Sequence, residues 1–144
     1  KHFDFAVGGV FAILHDVILT AGFIVLMGRQ IDLLIVTALL TIAGYSINDT
    51  IVIYDRVREL MRVKFKVSLK DVINLALNQT LARTILTSFA TLLVVAAMFF
   101  WGGEILNSFA LALLFGFIIG CYSTVFIASP IVLTCHSLMR AKVR

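Results

Sequence analysis

The sequence predicts an all-α membrane protein, a bundle of four transmembrane helices. Three observations predict it. The 144-residue chain is 61% hydrophobic and only 14% charged, whereas a soluble domain is about 45–50% apolar and about 25% charged. Its mean hydropathy is +1.07. Its apolar residues gather into four stretches, each near or above the ~20 residues that cross about 30 Å of hydrocarbon. Together these exclude an ordinary soluble core. The net charge of +4 is no nucleic-acid signature, because the basic residues sit at the ends of the apolar stretches, as topology signals do.

The first span is expected at about residues 5–27, with Gly8, Ala12 and Asp16 along one face and His15-Asp16 near its midpoint. A short turn, Gly28-Arg29-Gln30-Ile31-Asp32, leads into a second span at about 33–54. The loop that follows is more than a linker. Ser68-Leu69-Lys70-Asp71 reads as a capping box, and Leu69, Ile73, Ala76 and Leu77 recur at helical spacing. A short amphipathic helix on the cytoplasmic surface is expected at about 68–80. A third span at about 83–102 and a fourth at about 107–135 are joined by Gly102-Gly103-Glu104. The fourth is long enough to tilt, or to break near Pro130. Short turns make two antiparallel hairpins.

Lysine and arginine set the orientation. Lys1, then Arg56, Arg58, Arg62, Lys64, Lys66 and Lys70, then Arg140, Lys142 and Arg144 fall on one side, and Arg29 alone on the other. The positive-inside rule makes both ends of the segment and the central loop cytoplasmic. The chain opens at Lys1 without Met, and is read as a piece of a longer polypeptide.

Three ionisable residues fall inside the spans, where an aspartate costs about 2.5–3.5 kcal/mol at mid-bilayer and is a functional candidate by default. Asp16 sits near the midplane of the first span. Asp49 lies roughly 9 Å deep from the cytoplasmic end of the second. Arg83 enters the third at a similar depth, where it either pairs with Asp49 across the helices or snorkels to the headgroups. A carboxylate whose protonation depends on a neighbouring helix is the elementary part of a proton-coupled cycle, so Asp49, Arg83 and Asp16 are the proton-transfer candidates. Asn48, Ser46, Thr41, Thr84, Thr87 and Ser88 are the supporting polar residues. Thr37, Thr41, Gly44 and Asn48 form one stripe, Thr80, Thr84, Thr87 and Thr91 another, and Gly116 to Gly120 is a GxxxG followed by Ser123 and Thr124. Such faces let helices approach and hydrogen-bond. Cys121 and Cys135 lie about 21 Å apart along one helix, too far to bridge, and read as buried thiols. His2, His15 and His136 have no metal-binding spacing, and no cofactor is expected.

The run GYSINDTIVIYDRVRE from Gly44 to Glu59 resembles the signature of the SecF family of bacterial protein-export membrane subunits. His15-Asp16-Val17, Asn78 to Ser88 (NQTLARTILTS) and Gly102 to Pro130 fit the same pattern. The resemblance implies a subunit of the resistance-nodulation-division type with six membrane helices, of which this chain corresponds to the last four. It implies a non-enzymatic machine in the inner membrane, driven by the proton motive force, that acts with SecD on preproteins late in translocation. The SecYEG channel, the SecA ATPase and YajC are the further implied partners. With no nucleotide-binding loop in the sequence, any ATP dependence belongs to a partner. The family's essential carboxylate matches Asp49 and its arginine matches Arg83; Asp16 is similarly placed to a family motif. Tyr54, Leu60 and Cys121 depart from the residues common there.

Other readings stay open at this stage. Asp16 and Asp49 on neighbouring helices would suit an intramembrane aspartyl protease, although Ser46-Ile47-Asn48 precedes Asp49 in place of Gly-x-Gly. An exporter of small molecules or lipids would share the fold. A passive assembly subunit would use Asp49 and Arg83 only to lock helices.

Overall fold

Helix-breaking residues mark the boundaries of the elements. A computed structural model describes residues 3–63 and 68–134. It contains α1 (Phe3–Leu26), α2 (Leu33–Val63), α3 (Leu69–Trp101) and α4 (Gly103–Ser123), the last running on through a π-helical turn, Thr124–Ala128, and then helix to residue 134. All four helices are long and apolar enough to cross a membrane.

At the end of α1, Gly28 adopts φ +71°, a left-handed backbone open to glycine. The Gly28 amide donates to the Val25 carbonyl and the Arg29 amide to the Ile24 carbonyl, at 2.9 and 3.2 Å. This paired closure satisfies the last carbonyls of the helix and reverses the chain. Asp32 then caps α2 by accepting from the Ile35 amide at 2.8 Å. Gly103, at φ +78°, makes the equally tight turn from α3 to α4. The two antiparallel hairpins follow from these turns.

α3 is one helix: the segment expected as a surface helix at 68–80 leads without a break into the span expected at 83–102. Nothing between Thr80 and Arg83 breaks a helix. Val72, Ile73 and Ala76 are buried against Ile53, Val57 and Leu60 of α2, which keeps the segment on the α2 axis. The predicted cap is present: Ser68 Oγ accepts from the Asp71 amide at 3.2 Å and donates to its carboxylate at 2.6 Å. At 1.5 Å per residue, α2 and α3 are roughly 46 and 50 Å long, so both project well beyond about 30 Å of hydrocarbon. Arg56, paired with Glu59 and bonded to Gln79 at 2.7 Å, ties the projecting ends together. α4 does not break at Pro130. Its irregularity is the π turn just before it, where the missing proline N–H leaves the local ladder short of a donor. Lys1, His2, Lys64, Lys66, Cys135, His136 and the basic residues of the tail lie outside the described residues.

The apolar core is divided. Ala12, Ile53, Val57, Val72, Ala76 and Val132 belong to one cluster, toward the end of the bundle that bears the basic residues. Ile24, Ile35, Ile42, Val95, Leu113 and Phe117 belong to another, toward the two short turns. Gly116 lets α4 close on α2, because a Cβ there would overlap the Ile42 side chain. The outer surface carries large exposed side chains such as Ile18, Leu40, Ile85, Leu86, Phe89 and Val94, as a lipid-facing surface does.

Candidate intramembrane charge site

Between the two apolar clusters lies a polar layer, and all four helices contribute to it. Asp16 is its centre. It follows Gly8 and Ala12 on the inward face of α1, and its side chain is fully buried. Its Oδ2 accepts from Ser46 Oγ of α2 at 2.6 Å and from Ser123 Oγ of α4 at 2.7 Å. Its Oδ1 lies 3.0 Å from His15 Nδ1. Gly120 borders this meeting, where a Cβ would make only ordinary contacts, 3.7 Å from both Asp16 Oδ2 and Ser46 Cβ. One carboxylate thus joins three helices. Thr20, one turn further along α1, returns its hydroxyl to the Asp16 carbonyl at 2.7 Å.

Asp49 stands one turn beyond Ser46 on α2 and is 6% exposed. Unlike Asp16, its carboxylate makes no hydrogen bond or ion pair with any described residue. The neighbouring Thr50 hydroxyl is buried without a partner, as is that of Ser129 on α4. Arg83 lies within electrostatic reach of Asp49, but no ion pair within 4.0 Å joins them. The reason is helical phase. Thr80, Thr84 and Ser88 take the inward face of α3, which leaves Arg83 exposed. Arg83 is free to reach a headgroup or a neighbouring chain.

The polar stripes divide in the same way. Ser46, Thr84 and Ser88 are buried. Thr41, Asn48 and Thr87 are exposed, together with Thr37 and Gly44, so the stripe of α2 does not pack within this chain as its spacing suggested. Thr37, Thr41 and Thr87 return their hydroxyls to backbone carbonyls of their own helices at 2.8 to 3.0 Å. The result is an outward polar face at membrane depth.

A second set of polar contacts adjoins the Asp16 cluster. Tyr45 Oη donates to Ser88 Oγ at 3.3 Å and lies 3.4 Å from Thr91 Oγ1, and Cys121 Sγ donates to Ser88 Oγ at 3.0 Å. The sequence reading passed over Tyr45, and it took Cys121 for a buried free thiol; Cys121 is half-buried. Tyr45 and Ser46 are neighbours in sequence, as are Cys121 and Ser123 within one turn, and this adjacency was the signal that one layer holds them all. Among the described residues no group of three His, Cys, Asp or Glu side chains comes together to hold a metal. Chemically, the arrangement offers one carboxylate bonded to donors from two other helices and one buried carboxylate whose oxygens no described residue claims.

Comparison with known proteins places the chain in context. The profile of the family described as "Protein export membrane protein SecD/SecF, C-terminal" matches residues 2–138. Protein translocase subunit SecF of Rhodothermus marinus is 44% identical, over 97% of this chain and 47% of its own length. The SecF of Koribacter versatilis is 48% identical, over 88% of this chain and 31% of its own. The chain therefore spans less than half the length of these relatives. Among solved structures, SecDF in its super-membrane-facing form superposes with a TM-score of 0.91 at 40% identity, over 96% of this chain and 19% of that one. SecDF from Thermus, described as a translocon-associated membrane protein, gives 0.90 at 40% identity, over 93% and 19%.

Proposed function

Because the chain belongs to the SecD/SecF family of protein-export membrane proteins, matching SecF subunits over nearly its whole length, we propose that it is the membrane motor segment of a SecF subunit. In this reading the proton motive force drives it to promote late preprotein translocation by the Sec translocase. The carrying observation is Asp49: a carboxylate 6% exposed, in a membrane-length helix, with no hydrogen-bond partner among the described residues. An ionised group in that position is costly unless something compensates it. A proton is the compensation that can come and go.

Asp49, Arg83 and Asp16 form the proton-transfer set in this scheme. Asp49 binds and releases the proton. Arg83 responds to the charge from the outward face, since the two already lie within electrostatic reach. Asp16 is the second carboxylate of the layer and ties α1, α2 and α4 together, so a change of charge at Asp49 is felt by a braced unit. Ser46, Thr84 and Ser88 line the interior, and Thr41, Asn48 and Thr87 line the face turned outward. Each elementary charge crossing 100 mV supplies about 2.3 kcal/mol, enough to shift a two-state equilibrium by more than tenfold.

The outward polar face calls for a covering partner at membrane depth, and SecD is the partner proposed. The structures this chain resembles are of SecDF. The SecYEG channel with SecA, YajC and the preprotein complete the proposed assembly. The basic end of the bundle is assigned to the cytoplasm and the two short turns to the outer side of the bacterial inner membrane, by the positive-inside rule.

The test uses the full-length subunit with its partners in inverted membrane vesicles. Asp49→Asn is expected to assemble with SecD at the normal level and to lose the stimulation of export by the proton motive force. Loss of assembly would instead make Asp49 a structural lock, and unchanged stimulation would remove it from the mechanism.

A further inference from the structure

We propose that the cavity at the turn between α3 and α4, together with Arg29 beside it, binds the headgroup of a zwitterionic phospholipid. The ammonium enters the cavity and the phosphate meets Arg29. This site goes beyond the proton-driven reading and does not depend on it. The cavity has a volume of about 390 Å³ and is lined by Phe99, Phe100, Gly103, Glu104 and Asn107; small-molecule sites occupy about 300–1,000 Å³. Four features of its wall favour a cation. Glu104 is exposed and makes no hydrogen bond or ion pair with any described residue. The cavity lies at the carboxyl end of α3, where the last carbonyls carry partial negative charge, and no basic residue stands in that turn to answer them. Phe99 and Phe100 meet edge to face, with centroids 5.3 Å apart, and aromatic rings attract ammonium groups. Asn107 donates its Nδ2 to the Phe99 carbonyl at 3.4 Å, which leaves its amide oxygen as a further acceptor.

Arg29 supplies the complementary charge. Among the described residues it is the lone basic side chain at this end of the bundle. Its guanidinium donates one N–H to Ser108 Oγ at 2.5 Å, and its other donors have no described acceptor. Ser108 stands one turn from Glu104 on the same face of α4, about 5–6 Å away between Cβ atoms. Yet no ion pair within 4.0 Å joins Arg29 to Glu104. The level is also that of headgroups: Phe100 and Trp101 are exposed at the end of a membrane-length helix, where aromatic side chains sit at the membrane–water interface. The dipole of α4 accounts for an acidic residue in its first turn, and interfacial rings need no ligand. Neither accounts for the cavity between them, nor for an arginine fixed to a serine one turn from an unpaired acid.

The two charges select the occupant. An anionic lipid would satisfy Arg29 but set its negative headgroup against Glu104. A zwitterion satisfies both, because its phosphate and ammonium are joined by a short linker and each meets a group of opposite sign. Its acyl chains would lie against exposed apolar side chains of the same helices, such as Val94, Phe100 and Ile105.

The experiment purifies the full-length subunit with its SecD partner in detergent and titrates the complex with phosphatidylethanolamine or phosphatidylglycerol, reading bound lipid by native mass spectrometry. The unaltered complex is expected to hold one phosphatidylethanolamine at least about tenfold more tightly than phosphatidylglycerol. Glu104→Gln and Arg29→Gln should each weaken that binding at least about tenfold, through loss of a charge-assisted contact. Glu104→Gln should leave phosphatidylglycerol bound as well as before or better, since a like charge is gone. Equal affinity of the unaltered complex for the two lipids overturns the proposal, as does full retention of phosphatidylethanolamine by Glu104→Gln. If Arg29→Gln weakens both lipids alike and Glu104→Gln alters neither, the site takes a phosphate alone and the zwitterion is wrong. Arg29→Gln also breaks the tie to Ser108, so a second variant separates binding from folding. Ser108→Ala removes the same tie but keeps the guanidinium, and should retain the lipid. A loss in Ser108→Ala equal to that in Arg29→Gln would make Arg29 a brace of the turn and overturn its role as the phosphate ligand.

Discussion

Asp16 and Asp49 are both buried carboxylates in membrane-length helices, and they differ in what surrounds them. Asp16 accepts hydroxyls from two other helices and lies against His15. Removing it strands the Ser46 hydroxyl and leaves Ser123 only the Gly120 carbonyl at 3.2 Å, in a site where unsatisfied buried groups cost about 1–3 kcal/mol each. Asp16→Ala is therefore expected to destabilise the protein by about 3 kcal/mol, and Asp16→Asn, which keeps an acceptor, by roughly half of that. Thermal unfolding in detergent checks both values. Ser46→Ala and Ser123→Ala share this acceptor, so their combined effect should depart from the sum of the two; strict additivity would mean that the three residues do not form one cluster. Asp49 is the opposite case. With no hydrogen bond to a described residue to lose and Arg83 only within electrostatic reach, Asp49→Asn should leave the melting temperature unchanged or raise it, because the cost of burying a charge disappears. A fall of several degrees would show that the carboxylate braces the fold.

At the scale of the element, the two glycines of the GxxxG in α4 have different duties. A Cβ at Gly116 would overlap Ile42, while one at Gly120 meets only ordinary contacts at 3.7 Å. Gly116→Ala should cost about 1–3 kcal/mol through overpacking, and Ile42→Ala should recover part of it. Gly120→Ala should be nearly neutral in the same melts. Ser68→Ala, by removing the cap of α3, should cost about 1 kcal/mol. Much of this level was legible in the sequence. Apolar length located the spans, Gly28 and Gly103 marked the turns, and Ser68 with Asp71 marked the start of α3. The helix expected at 68–80 and the span expected at 83–102 run on as one, because no residue between them stops a helix. The stripe of Thr37, Thr41, Gly44 and Asn48 was visible, but spacing fixes only that residues share a face. Whether that face turns inward depends on how the other helices are placed. The meeting of Asp16 with Ser46 and Ser123 was hidden for the same reason: interhelical register is set by packing such as that of Ile42 against Gly116, not by local pattern.

The whole molecule combines a braced interior with an outward face too polar for lipid. Its two apolar clusters sit on either side of the polar layer, so the helices are locked above and below the plane where Asp49 lies. Thr37, Thr41, Gly44, Asn48, Arg83 and Thr87 lie exposed on α2 and α3, whereas Leu14, Ile18 and Val25 supply apolar surface on α1. Exposed polar groups at membrane depth are found where protein or water covers them, so the two kinds of surface should behave differently in the assembled complex. With Cys121 and Cys135 replaced by alanine, a cysteine introduced by Asn48→Cys should react readily with a membrane-permeant maleimide when the subunit is expressed alone. Co-expression with SecD should lower its labelling rate at least about tenfold, the fall expected when a side chain passes from an open to a buried position whose opening costs about 1.4 kcal/mol or more. Ile18→Cys, on the apolar surface of α1, should label at the same rate in both cases. Equal labelling of Asn48→Cys with and without SecD would mean that another chain, or water, covers the polar face. The site built around Asp49 would then open to a different neighbour from the one proposed.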